Sequence, residues 1–445
     1  MQISIFQDPY QYSYKWHIFK GTDLGKIYDT IPWDDLEECL PTQNSPVGAP
    51  RWFSNKGMFA LMFLKAYLNL SDEKLIERFN TDFSLQFFCG KNLNNEIVKD
   101  KTIVSRIRTY IADHADMDKV QGALVNAWKK DMGNTHVLLM DATCYESYVR
   151  FPTDVKLLWE CCKFVFEKQL YKYCKVLKIA RPRSKYFVQK KLQLGYDRIR
   201  RKTYNKGLKR RKSLVYLLEK GLKQLDELLE TYPSITLNPL QANYLSTSKK
   251  ILEQQTFLLS NPAKELKNRI VSLSKPYLRP IIRGKETKPV EFGAKVHMMQ
   301  VDGINIIDHI SFDAFNEGTR LKTCVTKHKG IFKECHQLGA DKIYATNANR
   351  NFLTENKIFT CFPKKGPKKH GKAESVLQSA IGAKRATVME GSFGVEKEHY
   401  GLRKIKARQE KTERVWIFFG IMTANAARIA KRKSVQDSPH LQQVA

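Results

Sequence analysis

The chain has 445 residues and carries 76 Lys and Arg against 45 Asp and Glu, a formal net charge of +31. Because 42% of the residues are hydrophobic and 11% are aromatic, packed cores are expected and a wholly disordered polycation is excluded. The length indicates two or three domains. The charge favours a polyanionic partner, with nucleic acid ahead of acidic membranes or a ribosomal RNA scaffold.

The amino terminus has no basic head followed by an apolar run, so no secretory signal is predicted. The longest apolar segment, residues 415–427, is too short to span a bilayer and predicts a core helix. Nine cysteines form no CxxC pair, which disfavours a disulfide framework or a zinc module, and Cys335-His336 is interpreted as a packing pair. We therefore expect a cytoplasmic, nucleoid-associated protein that does not bind membranes.

The first 130 residues are near-neutral, aromatic and helical in pattern. Residues 56–70 predict an apolar helix, and Ser71 is expected to cap a second helix over residues 71–85. Such a module can bind DNA through a helix or can dimerise, and the pattern leaves both alternatives open.

Strand patterns begin at residues 136–143, an apolar run that reaches Asp141. They return at residues 291–301 and 304–312, which are joined by Asp302-Gly303, a pair typical of a type I′ hairpin. The remaining pattern predicts a helix over 320–338, a strand leading into Asp341, a helix over 349–357, a strand over 358–362 and helices from residue 373. Without residues 145–285, this order matches an α/β, ribonuclease-H-like domain with a helical insertion after its first strand.

The positive charge is concentrated inside that insertion. Residues 163–220 hold 20 Lys and Arg against 3 acidic residues, a net charge of +17 in 58 positions, and a Lys-rich loop follows at 364–372. Leucines at helical spacing over 213–232 indicate that the stretch forms basic helices. We interpret it as DNA-binding, the alternative being a solvated basic face without a ligand. The candidate DNA-binding residues are Arg198, Arg200, Arg201, Lys202, Lys209, Arg210, Arg211 and Lys212, with Arg283 and Lys285 before the returning strand.

Carboxylates near strand ends are candidates for a metal site. Asp141 and Asp341 lie at or near the carboxyl ends of predicted strands, where ligands bind in open α/β sheets, and Glu390 lies on a predicted helix. Three oxygen ligands suit Mg²⁺ or Mn²⁺, and two such ions promote in-line displacement at a phosphodiester. The pattern alone ranks Asp141 first, because a carboxylate closing an apolar strand is costly without a partner. The other two positions stay open, and the competing carboxylates are Asp302, Asp308, Asp313, Glu396 and Glu398.

Several longer stretches resemble the DDE transposases of bacterial insertion sequences, in the group with an N-terminal helical transposase domain. These stretches are residues 138–160, 279–296, 316–321, 339–353 and 388–402, and residues 61–90 are similar to the N-terminal domain of that group. The resemblance implies a ribonuclease-H-like fold with Asp141, Asp341 and Glu390 as the catalytic, metal-binding triad for two Mg²⁺ ions. It also implies binding of terminal inverted repeats and target DNA, both double-stranded, by a homodimer that cleaves strands and transfers the freed 3′-hydroxyl.

Two positions depart from the pattern of these transposases. Ile343 stands where the family often has Gly after the second Asp, so the turn there is expected to be less permissive. Related transposases have an Arg four residues before the catalytic Glu and a Lys seven residues after it. Lys397 fits this spacing, whereas Arg385 stands five residues before Glu390. Both are candidates for holding DNA phosphates near the metal ions.

The predicted organisation has five parts: a helical domain for DNA-end binding or dimerisation (1–133), the first part of the catalytic domain (134–160), the basic helical insertion (161–278), the rest of the catalytic domain (279–433) and a flexible tail (434–445). The predicted function is Mg²⁺-dependent transposition of an insertion sequence. One alternative is a metal-dependent nuclease of the same fold that cuts without joining. The other is a transposase-derived DNA-binding protein without catalytic activity.

Overall fold

The structure, a computed structural model, describes residues 9–42, 51–91, 93, 96–282, 289–363 and 371–436. The chain divides into two compact units, residues 1–148 with 294–445, and residues 149–293. The second unit contains the predicted insertion 161–278 and extends beyond it at both ends. Arg283, Lys285, most of the predicted Lys-rich loop (364–370) and most of the predicted tail (437–445) lie outside the described residues.

The first unit begins with helices, as its aromatic, near-neutral sequence predicts. They are α1 (Pro9–Gly21), α2 (Asp23–Tyr28), α3 (Trp33–Glu37), α4 (Asn55–Leu68), α5 (Asp72–Thr81), α6 (Phe83–Phe88), α7 (Ile103–His114) and α8 (Met117–Trp128), followed by strand β1 (Val137–Glu146). Two local predictions are confirmed. Helix α4 corresponds to the apolar helix predicted over 56–70, and the Ser71 hydroxyl accepts a hydrogen bond from the Lys74 amide at the start of α5. The single helix predicted over 71–85 is wrong, because the chain is extended at Asp82, whose side chain caps α6.

The second unit is built around the leucine face predicted over 213–232. Its elements are α9 (Asp154–Lys163), a π-helix (Phe164–Leu170), α10 (Tyr171–Val176), α11 (Tyr186–Arg198), α12 (Tyr204–Thr231), α13 (Pro239–Ser260) and β2 (Pro280–Ile282). The leucines of α12 are buried and pack in one cluster with apolar residues of α9 and the π-helix. At Gly221 a Cβ atom would lie 2.5 Å from the Phe166 ring, so this close approach requires glycine.

The rest of the first unit completes a six-stranded sheet. Its elements are β3 (Val290–Val301, whose first residues belong to the second unit), β4 (Ile304–Ser311), α14 (Leu321–Phe332), β5 (Gln337–Gly339), α15 (Asn347–Glu355), β6 (Phe359–Thr360), α16 (Lys372–Lys384), α17 (Glu390–His399) and α18 (Glu410–Gln436). The strand order is β2-β3-β1-β5-β6, and β4 also pairs with β3. Strands β1, β5 and β6 run parallel, whereas β3 is antiparallel to both β2 and β4. The chain is thus a mixed α/β protein with an N-terminal helical region.

The predicted hairpin is confirmed, and two neighbouring predictions need correction. Asp302 and Gly303 both have positive φ, 48° and 77°, as a type I′ turn requires. The helix predicted over 320–338 ends at Phe332, and the strand predicted to lead into Asp341 ends two residues earlier, at Gly339. The helix ends where Lys333 adopts a positive φ of 71°, which its residue type does not indicate.

The edge of the sheet is covered by side chains from the helices. Gln121 of α8 donates to the Ile307 carbonyl and accepts from the Ile307 amide, at 3.0 and 2.8 Å. Asn425 of α18 makes the same pair of bonds with the backbone of Asn305, at 2.7 and 3.0 Å. These bonds satisfy backbone groups that an exposed edge strand would offer to another chain, and they fix α8 and α18 on β4.

Helix α18 is a core helix, as predicted from residues 415–427. Ile417, Ile421 and Met422 are fully buried, and the Phe419 ring meets the Phe63 ring edge to face at 5.1 Å. Among the described residues, no helix is both long enough and apolar enough to cross a membrane.

Candidate active site

Asp141 lies on β1, and Asp341 lies just beyond the end of the neighbouring parallel strand β5. In the register of the two strands Leu139 pairs with Gly339, two residues before each Asp. Adjacent strands are about 4.8 Å apart, so the two Asp residues follow positions that are direct neighbours in the sheet. The sequence pattern that placed both residues at a strand end was correct only for Asp341. Strand β1 continues to Glu146, because residues 142–145 are also buried in the sheet.

The end of β5 presents Asp341 at the start of a turn. Its carboxylate accepts a hydrogen bond from the Lys342 amide at 2.7 Å and caps the 3₁₀ turn Lys342–Tyr344. Helix α16 approaches the strand so closely here that a Cβ atom on Gly339 would lie 2.8 Å from the Ile381 side chain. Strand end, turn and helix therefore meet next to Asp141.

Arg385 brings Asp141 and Glu390 together. Its Nη1 atom donates to Asp141 Oδ2 at 2.9 Å and lies 3.2 Å from Glu390 Oε1. The side chains of Arg385 and Asp141 are 19% and 16% exposed, whereas that of Glu390 is 53% exposed. The positively charged Arg385 guanidinium therefore lies between two carboxylates, close to the protein surface.

A π-helix over Arg385–Met389 explains the unusual spacing of Arg385. In an α-helix, residues five apart point about 140° away from each other, because each residue turns the helix by about 100°. A π-helix bonds residues five apart and so aligns them on one face. The π-helix therefore lets Arg385 and Glu390, five residues apart, lie on one face of the helix.

Deleting Ala386, which is exposed within the π-helix, is expected to restore a regular α-helix and to leave the melting temperature of the protein no lower. Arg385 would then stand four residues before Glu390, the spacing at which α-helical side chains meet. The matched control deletes Gly394, which is exposed in the regular helix α17. That change turns the buried Glu396 about 100° out of register and is expected to cost about 3 kcal/mol or more. If deletion of Ala386 destabilises as much as deletion of Gly394, the explanation of the spacing is wrong.

The electrostatic environment of Asp141 favours a cation. Burial raises the pKa of its carboxyl group, and the nearby carboxylates Glu317 and Glu390 raise it further. The Ala142 amide and the Arg385 guanidinium act in the opposite direction but do not cancel the burial. Several carboxylates therefore compete for one positively charged group, which is the situation that a bound metal ion relieves.

Glu317 is a fourth carboxylate of this site that the sequence pattern did not single out. It begins a 3₁₀ turn after β4, its Oε1 lies 2.7 Å from Lys295 Nζ, and its Oε2 accepts from the Tyr344 hydroxyl at 3.4 Å. Its only sequence signal was membership of the stretch 316–321 that carries the family resemblance. Nothing in that stretch indicates that the turn folds back towards Asp141.

A buried polar chain holds the turn that follows Asp341. His297 Nε2 is 2.8 Å from the Tyr344 hydroxyl, and His297 Nδ1 is 2.9 Å from Asp308 Oδ2. Hydrogen bonds from His297 and Arg320 hold the pKa of Asp308 far below its usual range despite burial. Asp308, a competitor for the triad in the sequence pattern, is thus committed to ion pairs inside the sheet.

Three further competing carboxylates, Asp302, Glu396 and Glu398, have their partners outside the cluster around Arg385. Asp302 pairs with Arg432 and accepts from the Gly133 amide, and Glu398 pairs with Arg403. Glu396 is only 1% exposed and accepts hydrogen bonds from Tyr145 and Asn305. On α17, therefore, Glu390 is the carboxylate that reaches Asp141 through Arg385.

Lys397 lies along β1 on the same helix as Glu390. Its ammonium donates to the Thr143 hydroxyl at 3.0 Å and lies 5.6 Å from the centre of the Tyr145 ring. Because Thr143 stands two residues after Asp141, this places a positive charge beside the carboxylates.

The predicted DNA-binding residues of the second unit differ in exposure. Arg210 is buried and donates to the side chains of Gln189 and Gln193, and Arg211 pairs with Asp154. Both guanidinium groups therefore make their contacts with other residues of the second unit. The exposed members of the set are Arg198, Arg200, Arg201, Lys202, Lys209 and Lys212.

The three carboxylates are ligands of the type that a hard divalent ion prefers, although in this structure they are too far apart to share one ion. Asp141, Asp341 and Glu390 offer only oxygen ligands, the type that Mg²⁺ and Mn²⁺ prefer. Among the described residues, two groups of possible ligands have their ligand atoms within 4.8 Å of one another. The triad of Asp141, Asp341 and Glu390 does not meet this criterion. Arg385 occupies the place between Asp141 and Glu390 where a cation would be shared.

The part of the chain before the sheet matches a known family. Residues 13–110, which include most of α1 and α7 and everything between them, match the Transposase domain (DUF772). The match supports a transposase family for this chain. No curated protein and no solved structure matches the chain.

Proposed function

We propose that this chain is a DDE-type DNA transposase of a bacterial insertion sequence. The observation that carries the proposal is the cluster of Asp141, Arg385 and Glu390, with Asp341 two residues beyond the end of the neighbouring strand β5. The transposase-domain match at residues 13–110 supports the class independently, because it lies in a different part of the chain.

We further propose that the sheet belongs to the ribonuclease-H-like type. In support, β1 lies between an antiparallel pair on one side, β3 with β4, and two parallel strands on the other, β5 and β6. Along the chain, the helical second unit, residues 149–293, follows β1 and ends within β3.

In the proposed reaction, Asp141, Asp341 and Glu390 would hold two Mg²⁺ ions, or Mn²⁺ in their place. Such ions activate the attacking oxygen and stabilise charge on the leaving oxygen of a phosphodiester. Water first attacks phosphorus at the element's end, and the bond to the 3′-oxygen breaks, leaving a 3′-hydroxyl. That hydroxyl then attacks a target phosphodiester, forming one new P–O bond and releasing the target's 3′-oxygen. Neither step needs a covalent bond to the protein.

The positively charged side chains have separate proposed tasks. Lys397 lies beside the carboxylates, where it would hold a DNA phosphate near the reacting bond. Arg385 would neutralise the carboxylates before the ions bind and would then be free to contact a phosphate. The exposed Arg and Lys of residues 198–212 would bind the backbone of double-stranded terminal repeats, with a homodimer bringing two ends together.

Changing Glu390 to Gln is expected to lower the rate of Mg²⁺-dependent cleavage of inverted-repeat DNA by about a thousandfold, because a metal-binding oxygen and its charge are removed. The control is Glu398→Gln on the same helix, since the two side chains are 53% and 56% exposed. Gel analysis of nicked products gives both rates. Equal rates for the two variants would remove Glu390 from the proposed site.

DNA binding is expected to weaken steeply with salt, and neutralising Arg200, Arg201 and Lys202 should reduce that dependence. Each phosphate that the protein no longer neutralises lowers the slope of log K against log salt by about 0.9, so the slope of the triple Gln variant should fall by up to ~3. The control neutralises Lys250, Lys264 and Lys267, which are exposed in the same unit but outside the basic stretch. Fluorescence anisotropy at several salt concentrations measures the slope, and an unchanged slope would exclude these residues from binding the DNA backbone.

A further inference from the structure

Two histidines stand side by side at the amino ends of β1 and β5. The register pairs Val137 with Gln337, so His136 and His336 each immediately precede a paired residue. The His336 amide donates to the His136 carbonyl at 2.9 Å. The two imidazole rings are stacked, with centres 4.9 Å apart and planes inclined by 29°.

Glu334 completes a group of three side chains. Its Oε2 atom is 3.1 Å from His336 Nε2 and 3.8 Å from His136 Nδ1. The residue before it, Lys333, has φ 71° and ψ −53°, and the Glu334 amide donates to the Phe332 carbonyl at 3.0 Å. This is a γ-turn of the rare, strained kind with positive φ. The turn reverses the chain after α14 and directs Glu334 towards the two rings.

The geometry points to a metal site, and we propose that His136, Glu334 and His336 bind one Zn²⁺ ion. Zinc lies about 2.0–2.2 Å from His nitrogen and carboxylate oxygen, so ligand atoms in a tetrahedral site are ~3.4 Å apart. The two N···O distances of 3.1 and 3.8 Å lie on either side of that value. Three ligands leave one position for water, which fits side chains that are 50%, 63% and 60% exposed. Because the His336 side chain is 60% exposed, the sequence interpretation of this residue as a packing residue is wrong.

This site differs from the proposed Mg²⁺ site in position and in chemistry. Asp141 lies five residues beyond His136 along β1, or about 17 Å at 3.3 Å per residue, and Asp341 lies beyond the far end of β5. Imidazole nitrogens suit Zn²⁺, whereas Mg²⁺ prefers carboxylate and water oxygens. An ion held by His136 and His336 would clamp β1 to β5 in the register that aligns the two Asp residues.

Isothermal titration of the full chain without an affinity tag, with ZnCl₂ in the presence of excess Mg²⁺, tests the site. We expect one ion per chain and a rise of a few degrees in melting temperature, because the ion binds only the folded chain. His136→Ala and His336→Ala should each weaken binding at least tenfold. All three side chains are exposed, so these variants are expected to fold.

The matched control is His17→Ala, which removes an exposed histidine of α1 and should leave the affinity unchanged. Glu334→Gln should weaken binding as the histidine variants do, since it removes the anionic ligand. Zinc binding of equal affinity in the double variant His136→Ala/His336→Ala would place the ion elsewhere and overturn the proposal. Absence of saturable binding in the unmodified chain would overturn it as well.

Discussion

Replacing Asp141 with Asn is expected to lower the rate of Mg²⁺-dependent cleavage of the element's ends by about a thousandfold or more, while DNA binding persists. The loss corresponds to about 4 kcal/mol of transition-state stabilisation, the scale expected when a metal ligand at the reacting phosphate is removed. Asn has nearly the same shape as Asp, but its amide oxygen carries no charge to hold a divalent ion.

The folded state of this variant is expected to be at least as stable as that of the unmodified chain near neutral pH. Burial raises the pKa of Asp141, so its charge is held in the sheet at a cost that the neutral Asn avoids. Melting curves and anisotropy with labelled DNA check folding and binding, and gel analysis follows cleavage. The control is Asp313→Asn, at an exposed position after β4. Cleavage by Asp141→Asn at the rate of this control would contradict the proposed role of Asp141.

Replacing Glu396 with Gln is expected to stabilise the protein at pH 8 and to have little effect near pH 4.5. The carboxyl group is 1% exposed, and burial raises its pKa from 4.5 to about 7, against the effect of hydrogen bonds from Tyr145 and Asn305. The folded state therefore keeps a proton that the unfolded state has already released between these two pH values. The stability that this group contributes is present below pH 4.5 and is lost as the pH rises through 7.

The size of the effect follows from the shift in pKa. A shift of this size corresponds to ~3 kcal/mol, at about 1.4 kcal/mol per unit. Urea unfolding at several pH values measures the difference between Glu396→Gln and the unmodified chain, which should grow from near zero to that value. Glu398→Gln, at an exposed position of the same helix, is the control and should show no such trend. A pH-independent difference for Glu396→Gln would show that this carboxyl group is ionised in the fold at all these pH values.

Local signals in the sequence were sufficient for much of the fold. The Asp302-Gly303 hairpin, the Ser71 cap and the leucine face of α12 each depend on residues close together in the chain. Turn chemistry, capping and helical spacing act over a few residues, so they can be recognised without tertiary structure. The prediction of helix over 320–338 failed where the chain changes direction at Lys333, a residue whose type gives no sign of a positive φ.

The candidate site depended more on tertiary contacts. The sequence spacing did not show that Arg385 and Glu390 lie on one face, because a π-helix has no simple sequence signature. Glu390, Glu396 and Glu398 could not be told apart by type, and only the packing of α17 buries Glu396 and leaves the other two exposed. Glu317 raises the pKa of Asp141 because a turn after β4 brings its charge near, which no spacing along the chain expresses.

The central claim is that the carboxylates around Arg385 cut and join DNA. The most direct measurement incubates the unmodified chain with labelled DNA carrying the element's native ends, a target plasmid and either Mg²⁺ or EDTA. We expect nicks at the ends and labelled strands joined to the plasmid, both only with Mg²⁺. Nicks without joined strands would indicate a nuclease. Bound DNA without nicks would indicate a DNA-binding protein without catalytic activity. Either result would contradict the proposal that the chain is a transposase.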